Sequence, residues 1–337
     1  MAQRHFTIPV FIPMEACPFR CIYCDQVKIS GQQKIPSTAD VQAIINRHLI
    51  TIPFENNYIE VGFFGGTFTG LKLVQQEDYL LAVQPYIKAG KIKSIRLSTR
   101  PDFIDQPNID LLKKYNVTTI ELGAQSMDDE VLRASGRGHT VTDVSVAAQL
   151  IRLNGFRLGL QMMIGLPGDT REKSLFTAKR FIELGAEDVR IYPTLVIKGT
   201  HLEKQYKTGK YLPLSLDEAV SVIAEVLLQF ERSHVNVIRV GLHPSEGLLR
   251  GDSLVDGPFH VSFRELVLSK IWGDLLGNIP APDLPTSITI TVSSKELNYA
   301  IGFKAVNRKM LENKFSRVIF RTSEFLIKRE FHVDYHR

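Results

Sequence analysis

Through its first two thirds the chain alternates strand-like and helix-like segments, and that alternation leaves few folds open. Strands are expected over 6–13, 58–64, 92–98, 117–122, 157–164 and 188–192, and amphipathic helices over 38–49, 75–87, 109–115, 141–154 and 171–184. Ser37-Thr38-Ala39-Asp40 carries a helix start signal with an acidic first turn. Asn154-Gly155 places a glycine where a helix ends. Apolar strands separated by helices argue for parallel βα repeats. Six such units are fewer than a closed eight-fold barrel needs. The expected fold class is therefore α/β: a partial (βα)6 TIM-type barrel of parallel strands. Ligand sites in such folds lie at the carboxyl ends of the strands.

A length of 337 residues accommodates one large domain and a small one. A barrel domain is expected over 1–243, a helical extension and linker over 244–285, and a basic α/β module over 286–337. A further helix is expected over 214–231 and a further strand over 235–240, flanking the barrel. No apolar run is long enough to span a membrane. The amino terminus has no apolar signal region of useful length. A cytoplasmic location and no membrane partner are expected. The net charge is +5, and the segment from Thr286 onward holds five Lys and five Arg against five Asp or Glu, so it carries the whole excess. A basic module beside a neutral body suits a polyanionic partner; a solubilising surface explains the same count.

The three cysteines, Cys17, Cys21 and Cys24, fall within one short segment, Cys17-Pro-Phe-Arg-Cys21-Ile-Tyr-Cys24. Disulfide pairing leaves one thiol over and asks residues three or four apart to bridge. A structural zinc site requires a fourth ligand, and His5 is poorly placed for it. Three thiolates on one [4Fe–4S] cluster leave an iron open to a non-protein ligand.

This CxxxCxxC, following an apolar strand and with Tyr23 before its last sulfur, resembles the radical SAM superfamily. Phe63-Phe64-Gly65-Gly66-Thr67-Phe68-Thr69-Gly70-Leu71 resembles that superfamily's glycine-rich segment. Glu121-Leu122-Gly123-Ala124-Gln125-Ser126 and Met163-Ile164-Gly165-Leu166-Pro167-Gly168 follow in the same order. Gly199-Thr200-His201-Leu202 and Gly209-Lys210-Tyr211 resemble the radical SAM half of the elongator catalytic subunit family, whose members modify tRNA. That resemblance runs over about residues 6–243; too little chain remains for the family's acetyltransferase domain.

The resemblance implies an enzyme in which Cys17, Cys21 and Cys24 hold a [4Fe–4S] cluster. S-adenosylmethionine chelates the open iron and is cleaved reductively to a 5′-deoxyadenosyl radical. A reductant such as ferredoxin or flavodoxin is the implied electron-donating partner. Gly65, Gly66 and Thr67 become cofactor-binding candidates, with Thr67 standing where an acidic residue is usual. Tyr23 is placed near the adenine by the same pattern; a core aromatic is the competing reading. Ser98 and Arg100 end the third strand, and Arg100 suits a bidentate carboxylate contact. Gln125 and Ser126 after the fourth strand, and Gln161, Ile164 and Leu166 on or after the fifth, complete the cofactor-binding set. No catalytic residue stands out; Tyr192, His243 and His260 are the weak candidates, and such histidines are more often structural.

Near the carboxyl end, Ala300-Ile301-Gly302-Phe303-Lys304-Ala305-Val306-Asn307-Arg308-Lys309 resembles the helix–loop–helix core of a KH RNA-binding domain, with Ala305 where a second glycine belongs. Lys304, Arg308 and Lys309 give it a positive edge. The leading expectation is a radical SAM enzyme that modifies RNA, with tRNA as the substrate partner. A radical SAM enzyme acting on a small molecule such as a porphyrin, and a non-catalytic iron–sulfur RNA-binding protein, stay open.

Overall fold

The computed structural model describes every residue except 1–3, 14–16, 18–20, 32–33, 54, 243–244, 281–285 and 337. The linker expected at 281–285 and the candidate His243 lie outside the described residues. The chain forms two compact units: Met1–Ser215 with Val226–Phe259, and Leu216–Glu225 with His260–Arg337. Among the described residues no helix is long and apolar enough to cross a membrane.

The first unit is a curled, parallel seven-stranded half-barrel. Its strands are β1 (His5–Ile12), β2 (Tyr58–Gly65), β3 (Ser94–Thr99), β4 (Val117–Gln125), β5 (Arg157–Ile164), β6 (Asp188–Pro193) and, after a short β7 (Val196–Ile197), β8 (Asn236–Val240). The spatial order is β1-β2-β3-β4-β5-β6-β8, so each strand lies beside its predecessor in the sheet. The six expected strands are all present, and the flanking strand joins the same sheet as its seventh member. β7 pairs antiparallel with β9 (Leu254–Asp256) as a separate two-stranded ribbon.

Residue parity splits the sheet into two chemically different faces. Ile8, Val10, Ile59, Val61, Ile95, Leu97, Ile120, Leu122, Leu158, Leu160, Val189 and Ile191 are buried on one face. The other face is polar. In the parallel registers Thr7 lies beside Glu60, Ser98 beside Glu121, Gly159 beside both Glu121 and Asp188, and Gln161 beside Arg190. Parallel sheets are usually apolar on both faces, so a polar second face marks a surface with another purpose. Gly159 makes room there: a Cβ at that position would meet Glu121 Cγ at 2.7 Å.

The helix Thr38–Thr51 opens with a capping box between Ser37 and Asp40. Thr140 and Asp143 repeat that device at Val141–Leu153. The helix Leu216–Arg232 is divided between the two units.

The second unit centres on β10 (Ser287–Ser293), flanked by parallel β11 (Arg317–Ser323) and antiparallel β12 (Phe331–His336). Its core is built from Trp272, Leu276, Ile288, Ile290, Val292, Ala300, Leu311 and Phe315. The helices Leu297–Ile301 and Val306–Glu312 are joined by a turn in which Lys304 (φ +53°) and Ala305 (φ +60°) are both left-handed.

Candidate cluster and cofactor site

The three cysteines lie between β1 and the short helix Gln26–Ser30, whose start is capped by Asp25. All three are free thiols. A tight turn closes the segment, with Cys24 N–H donating to Cys21 O at 3.0 Å. The segment is pinned from two sides: Ile22 N–H donates to Ser135 O at 3.1 Å, and Leu202 N–H donates to Ile22 O at 2.8 Å. Cys21 and Tyr23 are buried among Val131, Leu166, Val196, Leu202 and Tyr211, with Cys24 at the edge of that cluster. Cys17 Sγ lies 3.3 Å from Thr67 Oγ1, which ties the first sulfur to the end of β2.

Burial, with Cys21 and Cys17 as neighbours, pushes the Cys24 thiol up to about 12. Three thiolates stand together here only if cations face them. Among the described residues no three His, Cys, Asp or Glu side chains are gathered closely enough for a single ion. The donor chemistry, three soft thiols on one loop, fits an iron–sulfur cluster.

β2 ends in a backbone that tolerates only glycine. Gly65 has φ +108°, and a Cβ on it would meet Ile12 O at 2.9 Å. Its carbonyl accepts from Gln26 Nε2, and Gly66 N–H donates to Ile12 O at 2.8 Å. Gly65, Gly66 and Thr67 therefore sit directly beside the sulfur loop.

β4 ends irregularly. Its pairing with β5 shifts register between Leu122 and Gln125, and Gln125 adopts φ +70°. A shift of this kind frees ladder carbonyls. Arg137 Nη2 takes Gly123 O, and the His139 ring takes Ala124 O from Nε2 at 3.2 Å. Burial, reinforced by Arg137 and Arg100, holds His139 down at about 3, so it stays neutral. Gln125 Oε1 is buried and has no hydrogen-bond partner among the described residues. Ser126 Oγ accepts from Asp128 N–H at 3.2 Å.

The remaining candidates are placed as follows. Ser98 and Gln161 meet on the polar face, Gln161 Nε2 donating to Ser98 Oγ at 3.0 Å and to Glu121 Oε2 at 3.0 Å. Arg100 directs its fork at Asp102, with contacts of 2.9 and 2.8 Å. Ile164 shares the parity of Leu158, Leu160 and Met162, and its carbonyl accepts from Thr194 N–H at 2.9 Å. Leu166 joins Tyr23 in the apolar cluster behind the sulfur loop. Tyr192 lies on the polar face, where burial raises its phenol and Arg190 and Glu121 are its neighbours. His260, Lys304, Arg308 and Lys309 belong to the second unit. His260 Nδ1 accepts from Ser262 N–H at 3.0 Å, and its ring meets Phe303 edge-on.

Sequence reasoning passed over three arginines that organise this region. Arg137 contacts the sulfur loop, donating from Nη1 to Cys21 Sγ at 3.2 Å and to Tyr23 OH at 3.4 Å. Its signal was present as Gly136-Arg137-Gly138-His139, a turn carrying two ionisable side chains. Arg96 and Arg190 form the polar network inside the half-barrel with Glu121. Arg96 reaches Glu60 at 2.6 Å, Glu121 at 2.8 Å and Asp188 at 3.4 Å, while Arg190 pairs with Glu121 at 2.5 Å. Alternation of charged with apolar residues along each strand was the signal for these.

Comparison with known proteins follows the same lines. Residues 11–180 match the family described as the Radical SAM superfamily, and 186–272 match the Radical_SAM C-terminal domain. A tRNA uridine(34) acetyltransferase of Dehalococcoides mccartyi is 26% identical over 243 residues, which cover 62% of this chain and 53% of that protein. Elongator complex protein 3 of Saccharomyces cerevisiae is 30% identical over 189 residues, or 50% of this chain and 34% of that protein. The chain thus spans about half or less of the length of these two relatives. An uncharacterized protein of Methanocaldococcus jannaschii is 31% identical over 67% of this chain and 72% of its own length. The solved structure of Methanocaldococcus infernus Elp3 with an N-terminal deletion superposes with a TM-score of 0.65 at 23% identity, covering 80% of this chain and 63% of that one.

Proposed function

The chain belongs to the radical SAM superfamily, and on that premise we propose that it is an RNA-modifying enzyme, with tRNA as the substrate class, whose [4Fe–4S] cluster is held by Cys17, Cys21 and Cys24. One observation carries the proposal: three free thiols on a single loop, locked beside the glycine-only end of β2 and the irregular end of β4. When bound, the cluster supplies an electron that breaks a sulfur–carbon bond of S-adenosylmethionine and so provides hydrogen-abstracting power.

The protein's own residues hold and shield. Gly65 and Gly66 let a ligand approach the backbone closely. Gln125 offers the carbonyl oxygen of its side chain, otherwise unpartnered among the described residues. Ser98 and Gln161 present a prearranged pair of hydrogen-bonding groups on the polar face. Tyr23 and Leu166 form an apolar wall behind Cys21 that excludes water. Tyr192 stays protonated and faces the same interior, where it is the side chain offered to substrate.

Support for RNA comes from two directions. Relatives that share the half-barrel sequence bear the names tRNA uridine(34) acetyltransferase and Elongator complex protein 3. The carboxyl-terminal segment concentrates positive charge, with exposed Lys304 in the turn, exposed Lys309 on the helix Val306–Glu312 and Arg308 half-buried beside it.

The test is anaerobic reconstitution with iron and sulfide, followed by reductant and S-adenosylmethionine, with and without bulk tRNA. The expected outcome is 5′-deoxyadenosine formation that rises when tRNA is present. Product that ignores tRNA points to a small-molecule substrate. No product from a fully loaded cluster, with or without tRNA, overturns the enzymatic assignment for this chain.

A further inference from the structure

We propose that Arg137 is a positioning residue for the sulfur loop: its guanidinium places one positive charge in hydrogen-bonding contact with the Cys21 sulfur and ties that sulfur to the end of β4. The inference rests on the cluster reading above. It begins with the backbone. Gly136 (φ +65°) and Gly138 (φ +75°) are both left-handed, so the chain turns sharply on either side of Arg137. The turn is fixed to the helix Asp129–Ala134 by Arg137 N–H donating to Leu132 O at 3.0 Å. One long side chain is thereby sent inward from a rigid corner.

The side chain is buried, at 6% exposure. Burying a guanidinium is unfavourable unless anions or acceptors meet it. Arg137 Nη2 meets Gly123 O, and Nη1 is shared between Cys21 Sγ at 3.2 Å and Tyr23 OH at 3.4 Å. Tyr23 and Cys21 are the groups whose contact favours its charge. Arg137 Nε has no hydrogen-bond partner among the described residues. The sulfur this charge faces is therefore that of Cys21. Cys17 Sγ meets the Thr67 hydroxyl.

Two consequences follow for the loaded site. Positive charge and hydrogen bonds near a cluster's sulfurs raise its reduction potential. Arg137 also spans from Cys21 to Gly123, and Gly123 stands two residues before Gln125, so it holds the ligand loop and the cofactor shelf at a fixed separation. As a positioning residue it acts through Cys21.

The experiment compares full-length wild type, R137K and R137Q after anaerobic reconstitution, reading the cluster midpoint potential by EPR-monitored redox titration. R137K keeps the charge; R137Q removes it. The expected result is a more negative potential in R137Q by at least tenfold in the reduction equilibrium, about 59 mV for a one-electron couple, with R137K close to wild type. An R137Q cluster with the wild-type potential overturns the proposal. If R137Q takes up no iron, R137K alone decides: a wild-type potential supports the charge role, and a tenfold shift overturns it. A second readout needs no cluster. Hydrogen exchange at residues 22–24 of the apoprotein is expected to be at least tenfold faster in R137Q, and unchanged exchange overturns the tether. Wild type that loads no cluster overturns the parent reading instead, so the two failures are distinguishable.

Discussion

Individual side chains in this protein are often kept in one protonation state by what surrounds them. His139 is the clearest case, because its ordinary value of 6.5 is driven down to about 3 by burial and by the charges of Arg137 and Arg100. The unfolded chain binds a proton near 6.5 and the folded chain does not. Stability from this group is therefore complete above 6.5 and is lost as the pH falls toward 3. Each unit of that window is worth about 1.4 kcal/mol, so roughly 2 kcal/mol is gone by about pH 5. Urea denaturation of the apoprotein at neutral pH and at about pH 5 checks this, and His139→Gln is expected to flatten the difference. None of this was legible in the sequence. A histidine following Gly136-Arg137-Gly138 does not announce that it donates to the carbonyl freed where β4 loses register. The cysteines were legible because their spacing alone restricts their chemistry.

At the scale of strands and helices, local pattern predicted most of the half-barrel. β5 begins and ends at the expected residues, and β2 runs one residue further, to Gly65. Alternation and capping are local properties, and both survive in the folded chain. The helix Phe263–Gly277 lies within the expected helical extension, but its bounds escaped because its apolar residues surround it rather than forming one stripe: Phe263, Val267, Leu268, Ile271, Trp272 and Leu276 are all buried. The polar network was missed for a different reason. Glu60, Arg96, Glu121 and Asp188 come from four strands, and only parallel pairing brings them together. Its energetics predict a severe single-site effect. Arg96 bridges three buried carboxylates; Arg96→Met leaves Glu121 to Arg190 and Asp188 to Arg157 but strips Glu60 of its guanidinium, and is expected to destabilise by about 3 kcal/mol. A lower urea midpoint at an unchanged slope is the corresponding measurement; a midpoint within error of wild type contradicts it.

Across the whole molecule, the candidate chemistry and the basic carboxyl-terminal segment lie apart in the chain. The three thiols and the candidate cofactor residues occupy the first unit, while the basic segment from Thr286 onward belongs to the second. If the second unit engages RNA, charge reversal there weakens binding and leaves the metal site alone. The triple change Lys304→Glu, Arg308→Glu, Lys309→Glu is expected to lower tRNA affinity at least tenfold in a filter-binding assay. It is also expected to reduce the salt dependence, each lost phosphate contact removing about 0.7–0.9 from the logarithmic slope. Iron content and cluster potential are expected to be unchanged. An unaltered salt slope places the RNA contact elsewhere.

The pinning of Ile22 has a consequence for biogenesis. Its amide is bonded to Ser135 O and its carbonyl to Leu202 N–H, so the ligand loop takes its shape from partners far along the polypeptide. While a ribosome is still making the middle of the chain, Cys17, Cys21 and Cys24 have already emerged without those anchors. Iron delivered at that moment meets an unshaped tether. On the proposed cluster reading, the loop takes its shape only once synthesis has passed Leu202, and loading is expected to follow that point.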